Sequence, residues 1–150
     1  MTLAELGEFG LIHRIALYFE ISSSDYMGIG DDCAVLPQDA HRVWLVTTDL
    51  LIEDIHFLRD RITPEDLGHK SLAVNLSDIA AMGGTPTAAF LSVGLPKTIE
   101  IEWLDRFFSG IRDLAEETNC QLLGGDTTQS KQGVVINFTI LGHAWRRNLK

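Results

Sequence analysis

The apolar and polar positions of the chain alternate in blocks that read as helix, strands, helix, strand, helix, strands. Leu6, Phe9, Ile12, Ala16 and Phe19 recur close to helical spacing over residues 4–20. Residues 21–32 are rich in Ser, Asp and Gly and predict a loop. Cys33–Leu36 and Val43–Thr47 predict two strands joined by a turn at Pro37-Gln38-Asp39. Thr63-Pro64-Glu65-Asp66 is a helix start, with a capping threonine and proline at the first helical position. That helix runs to about Met82, where Gly83-Gly84-Thr85-Pro86 stops it. Thr87–Leu95 reads as a buried strand, residues 100–118 as a second long amphipathic helix, Gln121–Leu123 as a short strand ending at Gly-Gly-Asp, and Val134–Gly142 as a last strand. The expected fold is α+β, with helices packed on one face of a mixed, roughly four-stranded sheet.

The helix over residues 64–82 is apolar around most of its circumference, which predicts burial. Ser71, Asn75 and Asp78 nevertheless fall at i, i+4 and i+7 and form one narrow polar stripe. A carboxylate on a buried helix must be paired, cap a neighbouring loop or bind a metal, because an isolated buried charge is costly. Four more aspartates stand at candidate sites: Asp31 and Asp32 in Gly28-Ile-Gly-Asp-Asp-Cys33, Asp49 in Thr47-Thr48-Asp49, and Asp126 in Gly124-Gly125-Asp126-Thr-Thr128. Hard oxygen ligands on short side chains suit magnesium, and magnesium suits phosphates. Gly124 and Gly125 would let a backbone approach a phosphate closely, with Asp126 holding the cation on it; the alternative is a tight turn that Asp126 caps. Gly-Asp-Asp is likewise an ordinary turn sequence as well as a candidate ligand loop.

Two familiar phosphate motifs fail. Gly28-Ile-Gly-Asp-Asp matches part of a dinucleotide fingerprint, but Cys33 stands where the third glycine is required. Gly68-His-Lys-Ser71 ends like a phosphate loop but lacks the glycines that should precede it. His56 follows the Thr-Thr-Asp segment and is a candidate contact, although a lone histidine is more often structural. Lys70 is the main cationic candidate, with a solvated helix lysine as the plain alternative.

Composition narrows the classes. The chain has 150 residues, 45% hydrophobic and 22% charged, enough for one domain with a core. Its formal net charge of −9 disfavours nucleic acid and makes cations necessary for binding phosphates. Two cysteines without metal-type spacing predict a reduced, cytoplasmic protein. No apolar run approaches the roughly 18 residues of a membrane span. The segment Trp145–Lys150 follows a strand-like run without a capping element, so the chain is expected to be one piece of a longer protein.

Together, Gly30-Asp-Asp-Cys-Ala34, Thr47-Thr-Asp-Leu50, His56-Phe57, Lys70-Ser-Leu-Ala-Val-Asn-Leu-Ser-Asp-Ile-Ala-Ala-Met-Gly-Gly84 and Leu123-Gly-Gly-Asp-Thr-Thr128 resemble the N-terminal domain of the thiamine-monophosphate kinase family. That family lies in the aminoimidazole-ribonucleotide-synthetase-like superfamily. The resemblance implies transfer of the terminal phosphoryl of ATP to thiamine phosphate, giving thiamine diphosphate. It implies that Asp32, Thr47, Thr48, Asp49, Asp78 and Asp126 hold magnesium ions, that Gly125 and Asp126 contact ATP, and that His56 contacts thiamine phosphate. It also implies a homodimer whose strands close a barrel near the ATP, and a C-terminal domain that supplies the rest of the site, including a nucleotide-contacting arginine just past Lys150. The chain by itself is then expected to be poorly active. Competing readings are another ATP-dependent enzyme of the superfamily, of the hydrogenase-maturation or selenophosphate-synthesis type, and a non-catalytic dimerisation domain.

Overall fold

The computed structural model describes residues 1–19 and 25–150. The expected loop over 21–32 and the end of the first expected helix therefore lie partly outside the described residues. Three α-helices occur, α1 (Leu3–Tyr18), α2 (Pro64–Ala81) and α3 (Ile101–Glu117), with five strands, β1 (Ala34–Pro37), β2 (Arg42–Ile52), β3 (Thr85–Leu95), β4 (Gln121–Gln129) and β5 (Val135–Trp145). The strands form one sheet in the order β1-β2-β5-β3-β4, one strand more than expected. All neighbours are antiparallel except β3 and β4, which run parallel, as α3 connects them by a crossover.

Side-chain alternation decides which face the helices cover. Val43, Leu45 and Leu51 of β2, Ile136, Phe138 and Ile140 of β5, and Leu91 and Val93 of β3 are buried and share the covered face. Leu67, Leu72 and Ile79 of α2, with Phe107 and Ile111 of α3, complete that core. The two helices approach backbone to backbone at Gly68 and Gly110. A Cβ on Gly68 would run into the Phe107 carbonyl, and one on Gly110 into the Glu65 carbonyl. Thr63 caps α2 by accepting the Asp66 N–H, with Pro64 inside the first turn, as the sequence predicts.

Two expectations change. The helix α1 has a capping box between Thr2 and Glu5, yet buries none of its residues; Phe9 is 85% exposed. Its apolar positions meet no core in this chain. The Gly124-Gly125-Asp126 segment is not a turn after a short strand but lies inside β4, which pairs with β3 from Gln121 to Gln129. Thr47, Thr48 and Asp49 are likewise inside β2. Parallel and antiparallel ladders satisfy these backbones, so the Gly and Asp residues do not need turn geometry to be accommodated.

The opposite face of the sheet has no helical layer. Its residues include Trp44, Val46, Thr48 and Leu50 of β2, Asn137, Thr139 and Leu141 of β5, and Phe90 and Ser92 of β3, all partly or well exposed. The sheet is open, with β1 covering only residues 43–46 along the outer edge of β2.

Candidate functional site

Of the Ser71-Asn75-Asp78 stripe, Asp78 meets the middle of β2, where α2 packs on that strand. The Thr47 hydroxyl lies 3.3 Å from Asp78 Oδ2 and 3.2 Å from the Asp32 carbonyl. The Cys33 thiol donates to the Asp78 carbonyl at 3.4 Å. Asp49, two residues along β2 and on the same face as Thr47, lies close enough to Asp78 for that carboxyl to act on it. Burial raises the pKa of Asp49 above the ordinary carboxylate value, and the Asp78 charge raises it further. His56 pulls in the other direction by its charge, which places it within electrostatic reach of Asp49. Burial, followed by the charges of Asp78, Asp32 and Asp31, pushes the Cys33 thiol up to about 11. That thiol stays protonated near neutral pH and is no nucleophile.

His56 sits at the end of a tight loop. Asp54 adopts φ +69°, the His56 N–H donates to the Ile52 carbonyl, and the Asp54 N–H donates to the Phe57 carbonyl. Arg59 and Glu53 add an ion pair at 2.6 Å, and buried Phe57 anchors the far end. The Ile52 N–H donates to His56 Nδ1 at 2.9 Å. A ring nitrogen that accepts this bond carries no proton, so in the neutral ring the proton is on Nε2. Lys70, from the first half of α2, donates its ammonium to the His56 carbonyl at 3.1 Å.

Thr48 is placed differently from Thr47. Its hydroxyl donates to the Phe138 carbonyl and accepts from Asn137 and Thr139, on the open face of the sheet. Asp126 also lies apart. It is in register with Ser92, which pairs with Asn137, which pairs with Leu50. Three strand spacings, about 14 Å, therefore separate it from β2. Residues in register share a face, so Asp126 is on the open face with Ser92 while Asp49 is on the covered face with Phe138. Asp31 accepts the Asp32 N–H at 2.8 Å, the local turn bond that Asp favours. One chain thus gathers Asp32, Thr47, Asp49, Asp78 and His56 in one neighbourhood, and leaves Thr48, Gly125 and Asp126 elsewhere.

The gathered set suits a hard divalent cation. It offers a close carboxylate pair, a threonine hydroxyl and a main-chain carbonyl, with a surplus of negative charge recorded in the raised Asp49 pKa. Among the described residues no three His, Cys, Asp or Glu side chains converge on one point. One turn before Asp78, Asn75 is buried with its Oδ1 unpartnered, while its Nδ2 donates to the Ser71 carbonyl.

Sequence reasoning missed a groove of about 1170 Å³ between α3 and β4. Leu91, Phe108, Ile111, Ala115, Leu122 and Leu123 are among the residues that line it. The signal available was the pair Leu122-Leu123 before the glycines, with both side chains exposed at 48% and 62%.

A fold of this kind, an open mixed sheet with helices on one face, defines an α+β domain. The chain belongs to the family of the AIR synthase related protein, N-terminal domain, whose model matches residues 30–144. It is 38% identical over 146 residues to the thiamine-monophosphate kinase of Aquifex aeolicus, covering 97% of this chain and 45% of that protein. It is 41% identical over 149 residues to the thiamine-monophosphate kinase of Escherichia coli K12, covering 95% of this chain and 44% of that one. A solved structure described as AaThiL complexed with AMPPCP and TMP superposes with a TM-score of 0.87 at 38% identity, over 97% of this chain and 45% of that chain. The chain therefore spans less than half the length of the relatives it matches.

Proposed function

We propose that this chain is the magnesium- and ATP-binding half of an enzyme that phosphorylates thiamine phosphate to thiamine diphosphate. The observation that carries the reading is Asp78 bonded to the Thr47 hydroxyl with Asp49 beside it. Similar proteins named thiamine-monophosphate kinase, and a similar structure described with AMPPCP and TMP, support it. The acceptor is a phosphate monoester with a second pKa near 6, so it is already largely ionised close to neutrality and no strong general base is required. The absence of an activated thiol at Cys33 agrees with direct transfer.

Asp32, Thr47, Asp49 and Asp78 would hold magnesium, which when bound offsets the charge of the phosphates. His56 would donate a hydrogen bond from its Nε2–H to the acceptor phosphate. The groove of α3 and β4 seats the nucleoside part of ATP, since Leu122 and Leu123, which line it, directly precede Gly124-Gly125 in the chain.

A homodimer reconciles the separation of Asp126 from Asp49. The open face carries Leu50 at 50% and Phe90 at 37% exposure, and the outer edges of β4 and of residues 47–52 of β2 lack partner strands. Pairing two copies through these surfaces removes both exposed edges, closes a barrel, and brings Thr48 and Asp126 to the interface. A C-terminal half would supply cationic side chains for the transferring phosphoryl, which metal alone usually does not provide.

Calorimetric titration with AMPPCP tests the reading. Binding should require magnesium and vanish in chelator, and the 150-residue chain should form thiamine diphosphate far more slowly than the full-length Aquifex relative. Nucleotide binding that ignores magnesium would overturn the role given to the aspartates. Comparable rates would show that the second half is dispensable.

A further inference from the structure

We propose that Lys70 is the residue that makes the acceptor site read a phosphate group, by holding the His56 loop in place and by presenting its own ammonium to that phosphate. The inference rests on the reading of His56 as an acceptor contact and adds a residue to it. Lys70 extends from α2 and donates to the His56 carbonyl at 3.1 Å. An ammonium has three donors, and this bond uses one. The side chain is exposed, so the other two are available beside the loop.

The rest of the loop supports an anchoring role. Its own bonds, Ile52 N–H to His56 Nδ1 and His56 N–H to the Ile52 carbonyl, tie it to the end of β2. Asp54 holds a left-handed conformation there, which the surrounding contacts must maintain. Lys70 is the tie that joins the loop to the helix carrying Asp78, so the two halves of the site move together. The first of those bonds also fixes the proton on Nε2. A ring N–H and an ammonium then stand on one residue's surroundings, in a chain of net charge −9. Two donors of this kind favour a doubly charged phosphate over a hydroxyl at the same place.

The test compares thiamine phosphate with thiamine by calorimetry, with magnesium and AMPPCP present, for the parent chain, Lys70→Met and Lys70→Arg. The parent should prefer thiamine phosphate. In Lys70→Met that preference should fall about tenfold, the worth of one charge-assisted hydrogen bond, with thiamine affinity unchanged. Lys70→Arg should recover most of it. Amide exchange at His56 and Phe57 should quicken in Lys70→Met and stay slow in Lys70→Arg. A parent that prefers thiamine phosphate and a Lys70→Met variant that keeps the full preference would remove Lys70 from the site and leave the kinase reading intact. A parent without any preference would overturn the acceptor reading and the phosphate role of Lys70 together.

Discussion

The two acidic regions of this domain are built in opposite ways. At the α2–β2 junction, Thr47, Asp49 and Asp78 are partly or fully buried, Thr47 is hydrogen-bonded to Asp78, and Leu51 and Ile79 belong to the core beside them. Along β4 every residue from Gln121 to Gln129 is exposed, and Asp126 faces away from the helices. The first region is buried enough to raise the pKa of Asp49. The second is a bare ladder whose outer edge and outer face await other atoms. A single fold layer can preorganise a cation site between a helix and a strand, whereas an edge strand offers only positions, and the charge at Asp126 gains meaning when something docks beside it.

The largest effect should come from the backbone of the exposed region. Gly125 has φ +151°, and a Cβ there would overlap the Leu91 carbonyl on β3. Gly125→Ala should cost about 2–4 kcal/mol by parting β4 from β3, whereas Gly124→Ala, whose Cβ would lie 3.6 Å from the Phe90 ring, should cost well under about 1 kcal/mol. Denaturant unfolding of both variants measures the difference, and equal losses would mean that β4 is not held as described.

Next in size is the ligand function of the built region. Asp78→Asn keeps the shape of the side chain and removes its charge, and should weaken magnesium-dependent AMPPCP binding on the order of tenfold to a hundredfold. Unchanged binding would make the stripe structural. Asp126→Asn should weaken the same binding with no loss of thermal stability, because the side chain is exposed. Mixing the Asp78→Asn and Asp126→Asn chains separates the two regions further. In a dimer with sites shared between copies, the mixed species regains one intact site in some pairs, and binding capacity returns in part. No recovery would confine each site to one copy. Light scattering should also find a dimer at micromolar concentration.

The smallest effect concerns the pKa of Asp49. Its folded value is raised, by burial first and then by Asp78, so the folded state binds its proton more tightly than the unfolded state does. In the absence of magnesium this group therefore favours folding more as pH falls through the acid range, and costs stability above it. Asp39, held down to about 2 chiefly by the His41 N–H and the Arg42 side chain, works in the opposite sense but is fully exposed. Asp49→Asn should raise the stability of the metal-free chain at neutral pH by about 1 kcal/mol at most, since solvent screens the partly exposed pair, and the gain should shrink toward acid pH. A thermal melt series from acidic to neutral pH shows whether that slope exists.

Much of this domain is written locally. The Thr63-Pro64 start of α2, the Gly83-Gly84 stop and the alternation in β5 each rest on a few neighbouring residues, and the elements fall within a few positions of where those signals place them. The stripe of Ser71, Asn75 and Asp78 follows from helical period alone. Local pattern misled where neighbours in space decide the outcome. Gly-Gly-Asp reads as a turn because glycine and aspartate favour turns, yet parallel pairing with β3 draws the segment into a strand. The periodicity of α1 reads as a buried face, yet the described residues provide nothing to cover it.

The sequence by itself determined which residues are candidates for the chemistry, because hard oxygen donors on short side chains beside apolar strands suit magnesium and phosphate. Tertiary structure alone decided which of them meet. Alternation along β2 sends Thr47 and Asp49 toward α2 and Thr48 to the open face, and sheet order puts three strand spacings between β2 and Asp126. Strand order and facing depend on long-range pairing, and residue spacing along one chain does not encode them.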